Sequence, residues 1–311
     1  MVYYAYTHST QHIYKDKSMP RISNIIRAKS KIELFFDLAP NNIYTIYELT
    51  TIFNTNNKKW DLSYSMSFTK FLDFLLEKSY LEEIDLGLKT LYGWKIATHG
   101  TDSLYEIAIK LKPRSYISHY SAMFLNNMTE QIPKTIYVTY DRENKLVNHT
   151  KKLEQSKIDL AFSEKKKPKE VIYTFGGYRF VLINSTSNER IGIKNMELPS
   201  GVVIPVTNIE RTLIDIVVRP ELSGGIQEVI KAYQSVDTVQ IAKIQTYLRK
   251  KSYVYPFEQS IGFCLEYAGI DPEKVNSLLA ACKLEYNFYL DRAMKKPKFS
   301  SRWKLYYPNY L

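Results

Sequence analysis

Three short runs with helical spacing, then two strands around a tight turn, fill residues 30–97, and this order constrains the fold more than any other feature of the chain. Ser30 and Glu33 stand three apart, the spacing of a capping box, in which a hydroxyl accepts from a backbone amide and a carboxylate reaches back to another. They predict a helix over 31–38, stopped by Pro40. Thr45 and Glu48 repeat the signal and open a second helix from Ile46 to about Phe53. A polar stretch over 54–61 follows, with Lys58, Lys59 and Trp60. A third helix is predicted over about 65–79, because Phe68, Phe71, Leu72 and Leu75 fall on one face. Residues 80–86 and 91–97 have the pattern of strands flanking Gly87-Leu88-Lys89-Thr90.

Three helices and a hairpin in that order are the elements of a winged helix-turn-helix, whose third helix enters the major groove while the hairpin rides on the backbone. Stepping 100° per residue from Phe68 puts Met66, Ser67, Lys70 and Asp73 on the outer face, with Ser63, Tyr64 and Ser65 at the helix entry. Small hydroxyls and a lysine there suit base edges and phosphates. Lys58, Lys59, Lys89 and Lys95 are expected to hold phosphates, with Thr90 beside the hairpin turn. Upstream, residues 1–29 read as a basic arm, and Lys15, Lys17 and Arg21 are expected to follow the minor groove or the backbone. Asp73, Glu77, Glu82, Glu83 and Asp85 oppose DNA unless they face away, so a small helical domain used for protein contacts is the competing reading of 30–103.

Charge supports polyanionic partners. The 311 residues carry a net charge of +11, and nearly all of it lies beyond residue 110: 1–110 sum to +1 and 111–311 to +10. A composition rich in Lys, Asn, Ile and Tyr is the bland explanation of that excess. The length suits about two domains. No apolar run is long enough for a transmembrane helix, and the first residues lack the pattern of a secretory signal. Cys264 and Cys282 make neither a disulfide framework nor a zinc site, and a reducing cytoplasm is the expected setting.

Beyond a break at Pro113, residues 104–311 predict a larger mixed α/β domain with a helical C-terminal part, and the whole chain an α+β protein. Ser103-x-x-Glu106 opens a helix to about Leu111, and 115–126 reads as another. Strands are predicted over 135–140, 171–174, 178–183, 190–193 and 202–206, with 141–170 as a lysine-rich loop. Thr207-x-x-Glu210 caps a helix over 209–218, on which Arg211 and Asp215 can pair. Helices follow over 226–233, 237–251, 256–267 and 272–281. Walker A, GxGxxG, HExxH and GxSxG motifs are all missing, and no cofactor or metal site is implied. One enzymatic alternative is a loose metal-nuclease template, Asp141 with Glu164-x-Lys166. Another alternative is an interaction module whose basic second domain binds an acidic partner protein.

Two stretches carry a resemblance. YISHYSAMFLNNMTEQIPKTIYVTY, from Tyr116 to Tyr140, and PVTNIERTLIDIVVRPELSGGIQEVIKAY, from Pro205 to Tyr233, resemble the AbiEi antitoxins of type IV toxin–antitoxin systems. The matching positions are Tyr116, Ser118, His119, Ser121, Thr129, Glu130, Pro133, Glu210, Arg211, Thr212, Asp215, Arg219, Gly224 and Gly225. The resemblance implies a repressor that binds inverted repeats upstream of its own operon, and an antitoxin that opposes a nucleotidyltransferase-like toxin without an obligatory stable complex. It implies no catalytic role. The basic first ~30 residues and the lack of an outward arginine on the third helix depart from the family pattern.

Overall fold

The computed structural model describes residues 23–78, 80–95, 100–141, 153–166, 169–185, 190–251 and 253–311. Lys15, Lys17 and Arg21 lie outside the described residues. The chain is a mixed α+β protein, and the described residues form three separate sheets. Among the described residues no helix is long and apolar enough to cross a membrane.

The first part runs α1 (Asn24–Asp37), β1 (Ile43–Tyr44), α2 (Ile46–Asn56), α3 (Phe68–Glu77), β2 (Leu81–Asp85) and β3 (Thr90–Trp94). Its strands pair antiparallel in the order β1-β3-β2. The capping box at Thr45 forms, with Glu48 N donating to the Thr45 hydroxyl and Thr45 N to the Glu48 carboxylate. The one expected at Ser30 does not. The apolar stripe begins earlier, at Ile25 and Ala28, so α1 starts at Asn24 and includes residues 24–29, which the sequence reading assigns to the arm. Helix α3 starts later than expected, because Ser67 is its N-cap and accepts from Lys70 N at 3.3 Å. Ser65 and Ser67 therefore precede the helix. An aromatic cluster closes this core: Trp94 stacks on Phe36 at 4.6 Å and Trp60 on Phe71 at 5.5 Å.

Helix α4 (Asp102–Lys110) joins the halves. Glu106 is fully buried and accepts from Asn42 N at 2.6 Å and Ile43 N at 2.8 Å. It caps nothing on its own helix; its carboxylate satisfies the start of β1 instead. Lys110 pairs with Glu48, and the Lys89 ammonium donates to the carbonyls of Lys110 and Leu111. Ile43, Ile84, Leu86 and Leu91 of the small sheet share one core with Leu104, Ile107 and Ala108 of α4 and with Ile117, Val138 and Val206 beyond it.

The second part holds a six-stranded sheet in the order β6-β7-β5-β4-β9-β8: β4 (Ser115–Ile117), β5 (Thr135–Tyr140), β6 (Val171–Phe175), β7 (Tyr178–Asn184), β8 (Ile193–Glu197) and β9 (Val203–Thr207). β5 runs parallel to β7 and β4 parallel to β9. Residues 115–117, expected in a helix, form β4 because they pair with both β5 and β9 at the centre of the sheet; only His119–Leu125 is helical, as α5. The lysine-rich stretch hides α6 (Gln155–Ser163), fixed by buried Ile158 and Phe162. Side chains alternate along strands, so Phe180 and Leu182 join the core around α4 while Val181 and Ile183 face the other way. On that second face lie α7 (Ile209–Val218), α8 (Ile226–Gln234), α9 (Ile241–Lys251), α10 (Phe257–Tyr267) and α11 (Pro272–Ala281). Asn208 caps α7 instead of Thr207, whose hydroxyl meets that of Thr212 at 2.8 Å. A small sheet of β10 (Phe288–Tyr289), β11 (Lys298–Ser300) and β12 (Leu305–Tyr307) closes the helical part. Trp303 packs against α10 at Gly262, where an added Cβ would lie 2.1 Å from the indole ring.

Removing the Glu106 carboxylate leaves two buried amides unpaired. Glu106→Ala is expected to lower the unfolding free energy by about 3 kcal/mol in urea denaturation, and Glu106→Gln, which keeps an acceptor, by distinctly less.

Candidate nucleic-acid interface and a cationic cleft

On the first part, the end of α2, the α2–α3 connection and the first turn of α3 form a polar surface. Lys58, Lys59, Tyr64, Ser65, Ser67 and Lys70 are exposed there, and the Ser63 and Ser65 hydroxyls share a hydrogen bond of 2.9 Å. Met66 is half-buried against the aromatic core and presents little of itself. The hairpin adds less than expected. Lys89 is held on the α4 carbonyls, and burial lowers its pKa. Lys95 is salt-bridged to Asp37 at 2.7 Å, and Asp37 also accepts from the Trp94 indole. Both lysines serve packing, because the nearest acceptors lie within the fold. Thr90 is exposed in β3 beside the turn, and Leu88 projects from the turn itself. Asp73 and Glu77 are exposed further along α3, and Glu82, Glu83 and Asp85 along β2, so the favourable field for an anion is confined to the first turn of α3 and what precedes it.

The second site is a cleft of about 220 Å³ beyond the carboxyl ends of the parallel pair β5 and β7. Ends of this kind leave room between strand and crossover, where α/β sheets hold ligands. Thr139 comes from β5, and Ile183, Asn184 and Ser185 from the end of β7. Helix α7 supplies Arg211, Asp215 and Val218, with Arg219 just past its end. Lys166, Lys251, Tyr253, Tyr255 and Arg292 arrive from three separate connections. The cleft brings together four of the residues that carry the family resemblance: His119, Arg211, Asp215 and Arg219.

These groups are fixed in place. Arg211 Nε donates to Asp215 Oδ1 at 2.8 Å and its Nη1 to the Ile191 carbonyl at 2.9 Å, all of it buried. The guanidinium holds the Asp215 carboxyl below its usual range against the opposing effect of burial. Arg219 is shared between Glu170 and Glu221. Arg292 donates to the Ala161 carbonyl and lies 4.4 Å over the Phe162 ring. His119 is buried, with a left-handed backbone (φ 51°). Its Nδ1 meets the Ser118 hydroxyl at 2.9 Å, which in turn meets the Thr139 hydroxyl at 2.7 Å. Burial pushes the His119 pKa down to about 4, so the imidazole is neutral near pH 7.

The other motif residues do separate work. Tyr116 is buried in β4 beneath Arg190, and Ser121 ties α5 to β5 by accepting from Tyr137 N. Thr129, Glu130 and Pro133 line a second cavity on the opposite side, mainly apolar and walled by Tyr105, Phe124 and Tyr178. Thr212 bonds to Thr207, Glu210 lies 3.9 Å from Lys243, and Gly224 and Gly225 take left-handed turns (φ 80° and 88°) into α8. The nuclease template does not assemble as drawn. Asp141 is buried and paired with Arg190 at 3.3 Å and Arg114 at 3.7 Å, Glu164 is exposed at the end of α6, and Lys166 lines the cleft. Among the described residues no group of three or more His, Cys, Asp and Glu side chains could hold a metal ion. Asn184, Lys251, Tyr253, Tyr255 and Arg292 carry no motif; only the basic ends of the segments bearing Lys251 and Arg292 hint at them.

Because an unfolded histidine takes up its proton below about pH 6.5 and folded His119 only near pH 4, the unfolded chain binds more protons between the two. Stability is expected to fall as pH drops through that window, with His119 contributing about 3 kcal/mol. His119→Asn, which tolerates the same backbone, should flatten the decline in pH-dependent chemical denaturation.

No protein-family model matches this chain, and no curated protein matches it. Among solved structures, the chain is similar to the RV2827C protein from Mycobacterium tuberculosis, over 90% of this chain and 91% of that one, with a TM-score of 0.54 and 12% sequence identity. At that identity the likeness concerns the fold alone, a mixed α+β architecture spanning both parts of the chain.

Proposed function

We propose that this protein is a sequence-specific DNA-binding regulator and an antitoxin of the AbiEi kind. The observation that carries the DNA-binding reading is the order α1-β1-α2-α3-β2-β3 with strands arranged β1-β3-β2, which we read as a winged helix, together with an exposed basic and hydroxyl surface at the start of its third helix. Lys58 and Lys59 hold phosphates on the approach to α3. Lys70, with the hydroxyls of Ser63 and Ser65, reaches the major groove; Ser67 keeps the helix start in place. The acidic residues farther along α3 and on β2 tilt the docking toward the N-terminal end of the helix, where the helix dipole favours a phosphate.

The antitoxin reading rests on the two motif stretches, which form neighbouring parts of one unit: α5 packs against α7, and His119, Arg211, Asp215 and Arg219 converge on one cleft. The partner on this reading is a nucleotidyltransferase-like toxin encoded beside it, and the operator is a pair of inverted repeats bound by two protomers.

Fluorescence anisotropy with the duplex upstream of the protein's own gene, against a scrambled duplex at two or more salt concentrations, tests the regulator. Tight binding to the native duplex is expected. Lys58→Ala with Lys59→Ala should reduce the salt slope by about two units, since each phosphate contact contributes about 0.9. Lys70→Ala should cost about 1–3 kcal/mol if the lysine reads a base. Equal, steeply salt-dependent binding to both duplexes would overturn sequence-specific recognition. Co-expression with the neighbouring toxin gene tests the antitoxin, and continued growth arrest would overturn it.

A further inference from the structure

We propose that the cationic cleft binds a nucleoside monophosphate group, free or at the end of a strand. Three observations point to this chemistry, and none depends on DNA binding by the first part of the chain. The first is charge. Lys166, Arg211, Arg219, Lys251 and Arg292 line the cleft against one lining carboxylate, Asp215, and cations still outnumber carboxylates when Glu170 and Glu221, which hold Arg219, are counted. Lys251 and Arg211 are buried there, Arg219 and Arg292 half-buried and Lys166 exposed at the rim; gathering that many cations in one concavity favours an anion, and planar guanidinium groups suit phosphate oxygens.

The second observation is a pair of orphaned acceptors. Asn184 Oδ1 and Asp215 Oδ2 are buried on the cleft walls without a hydrogen-bond partner among the described residues. Buried acceptors of this sort call for a donor. Phosphate alone supplies few donors at neutral pH, whereas the hydroxyls of a pentose or the amino group of a base supply them. The third is shape. Tyr253, with the Lys251 ammonium 5.9 Å over its ring, and Tyr255, stacked on Phe288, line the cleft beside the cations, and a nucleobase would pack against the ring surface that these contacts leave facing it. The cleft also adjoins a second depression of about 250 Å³ that shares Lys166 and Arg292 and adds Lys165 together with Glu221 and Asp291. The phosphate is placed among Lys166, Lys251 and Arg292, and the sugar or base donates to Asn184 and Asp215.

Isothermal titration of the full-length protein with AMP, adenosine and inorganic phosphate tests this. AMP is expected to bind at least tenfold more tightly than adenosine. Lys166→Ala and Lys251→Met are each expected to weaken AMP about tenfold or more, in keeping with the loss of one charge-assisted contact. Lys59→Ala, in the α2–α3 connection of the first part, should leave AMP affinity unchanged and so separates this site from the proposed DNA interface. A 5′-phosphorylated dinucleotide distinguishes the two sources: binding tenfold tighter than AMP assigns the end of a strand, and equal or weaker binding assigns the free nucleotide. No binding of AMP or of the phosphorylated dinucleotide at millimolar concentration would overturn the proposal. So would AMP affinity that survives both Lys166→Ala and Lys251→Met in variants whose thermal unfolding matches the parent.

Discussion

The buried pair of Arg211 and Asp215 is the interaction around which the second part of the protein is organised. It lies on α7, a helix whose residues from Glu210 to Val217 are all buried and which touches α5, α8, α9 and α10. A helix so enclosed cannot keep a lone charge. Arg211 is tolerated because Asp215 sits one turn on and accepts from Nε, and the Ile191 carbonyl accepts from Nη1. Losing either partner would strand the other in a dry interior, at a cost of about 3–5 kcal/mol. The pair also sets the floor of the cleft, so the same two side chains that hold the helix against the sheet define the electrostatics of the site.

A second buried carboxylate, Glu106, plays the corresponding part between the two halves. Its bonds to the amides of Asn42 and Ile43, the hold of Lys89 on the end of α4, and the shared core beneath the small sheet make the first part an extension of the second. The surface formed by α2 and α3 is thereby presented from a rigid base. Of the lysines expected to hold phosphates, Lys89 is held at this junction and Lys95 is paired with Asp37 within the first part, and the basic surface left over is smaller and more localised.

Much of this was legible in the residues themselves, and the exceptions share one cause. The Thr45 capping box, the Phe71 and Leu75 stripe, β5 and the Arg211–Asp215 pair rest on signals within one or two turns of chain. Ser30, Ser103 and Thr207 show where such signals mislead: each carries the capping spacing, yet Ser30 lies inside α1, Ser103 bonds back to Gly100, and Thr207 ends a strand. At Glu106, which serves the start of β1, and at Thr207, which pairs with Ile193 in the sheet, partners in other elements outweigh the local preference. The same holds for residues 115–117, drawn into the sheet by β5 and β9 on either side, and for α6, whose two buried apolar residues are masked by surrounding lysines.

Three helices and a hairpin in the first hundred residues, though not β1, the mixed α+β class, the surplus of positive charge in the second part and the ion pair on α7 are all readable from the residues, because periodicity, capping and net charge are local or additive properties. The tertiary structure alone decided that Lys89 and Lys95 are occupied, that Asp141 is an anchor for two arginines, and that Asn184, Lys251, Tyr253 and Arg292 meet His119 and Asp215 in one cleft. Convergence of that kind depends on strand pairing and helix packing between segments more than a hundred residues apart, and no local pattern encodes it.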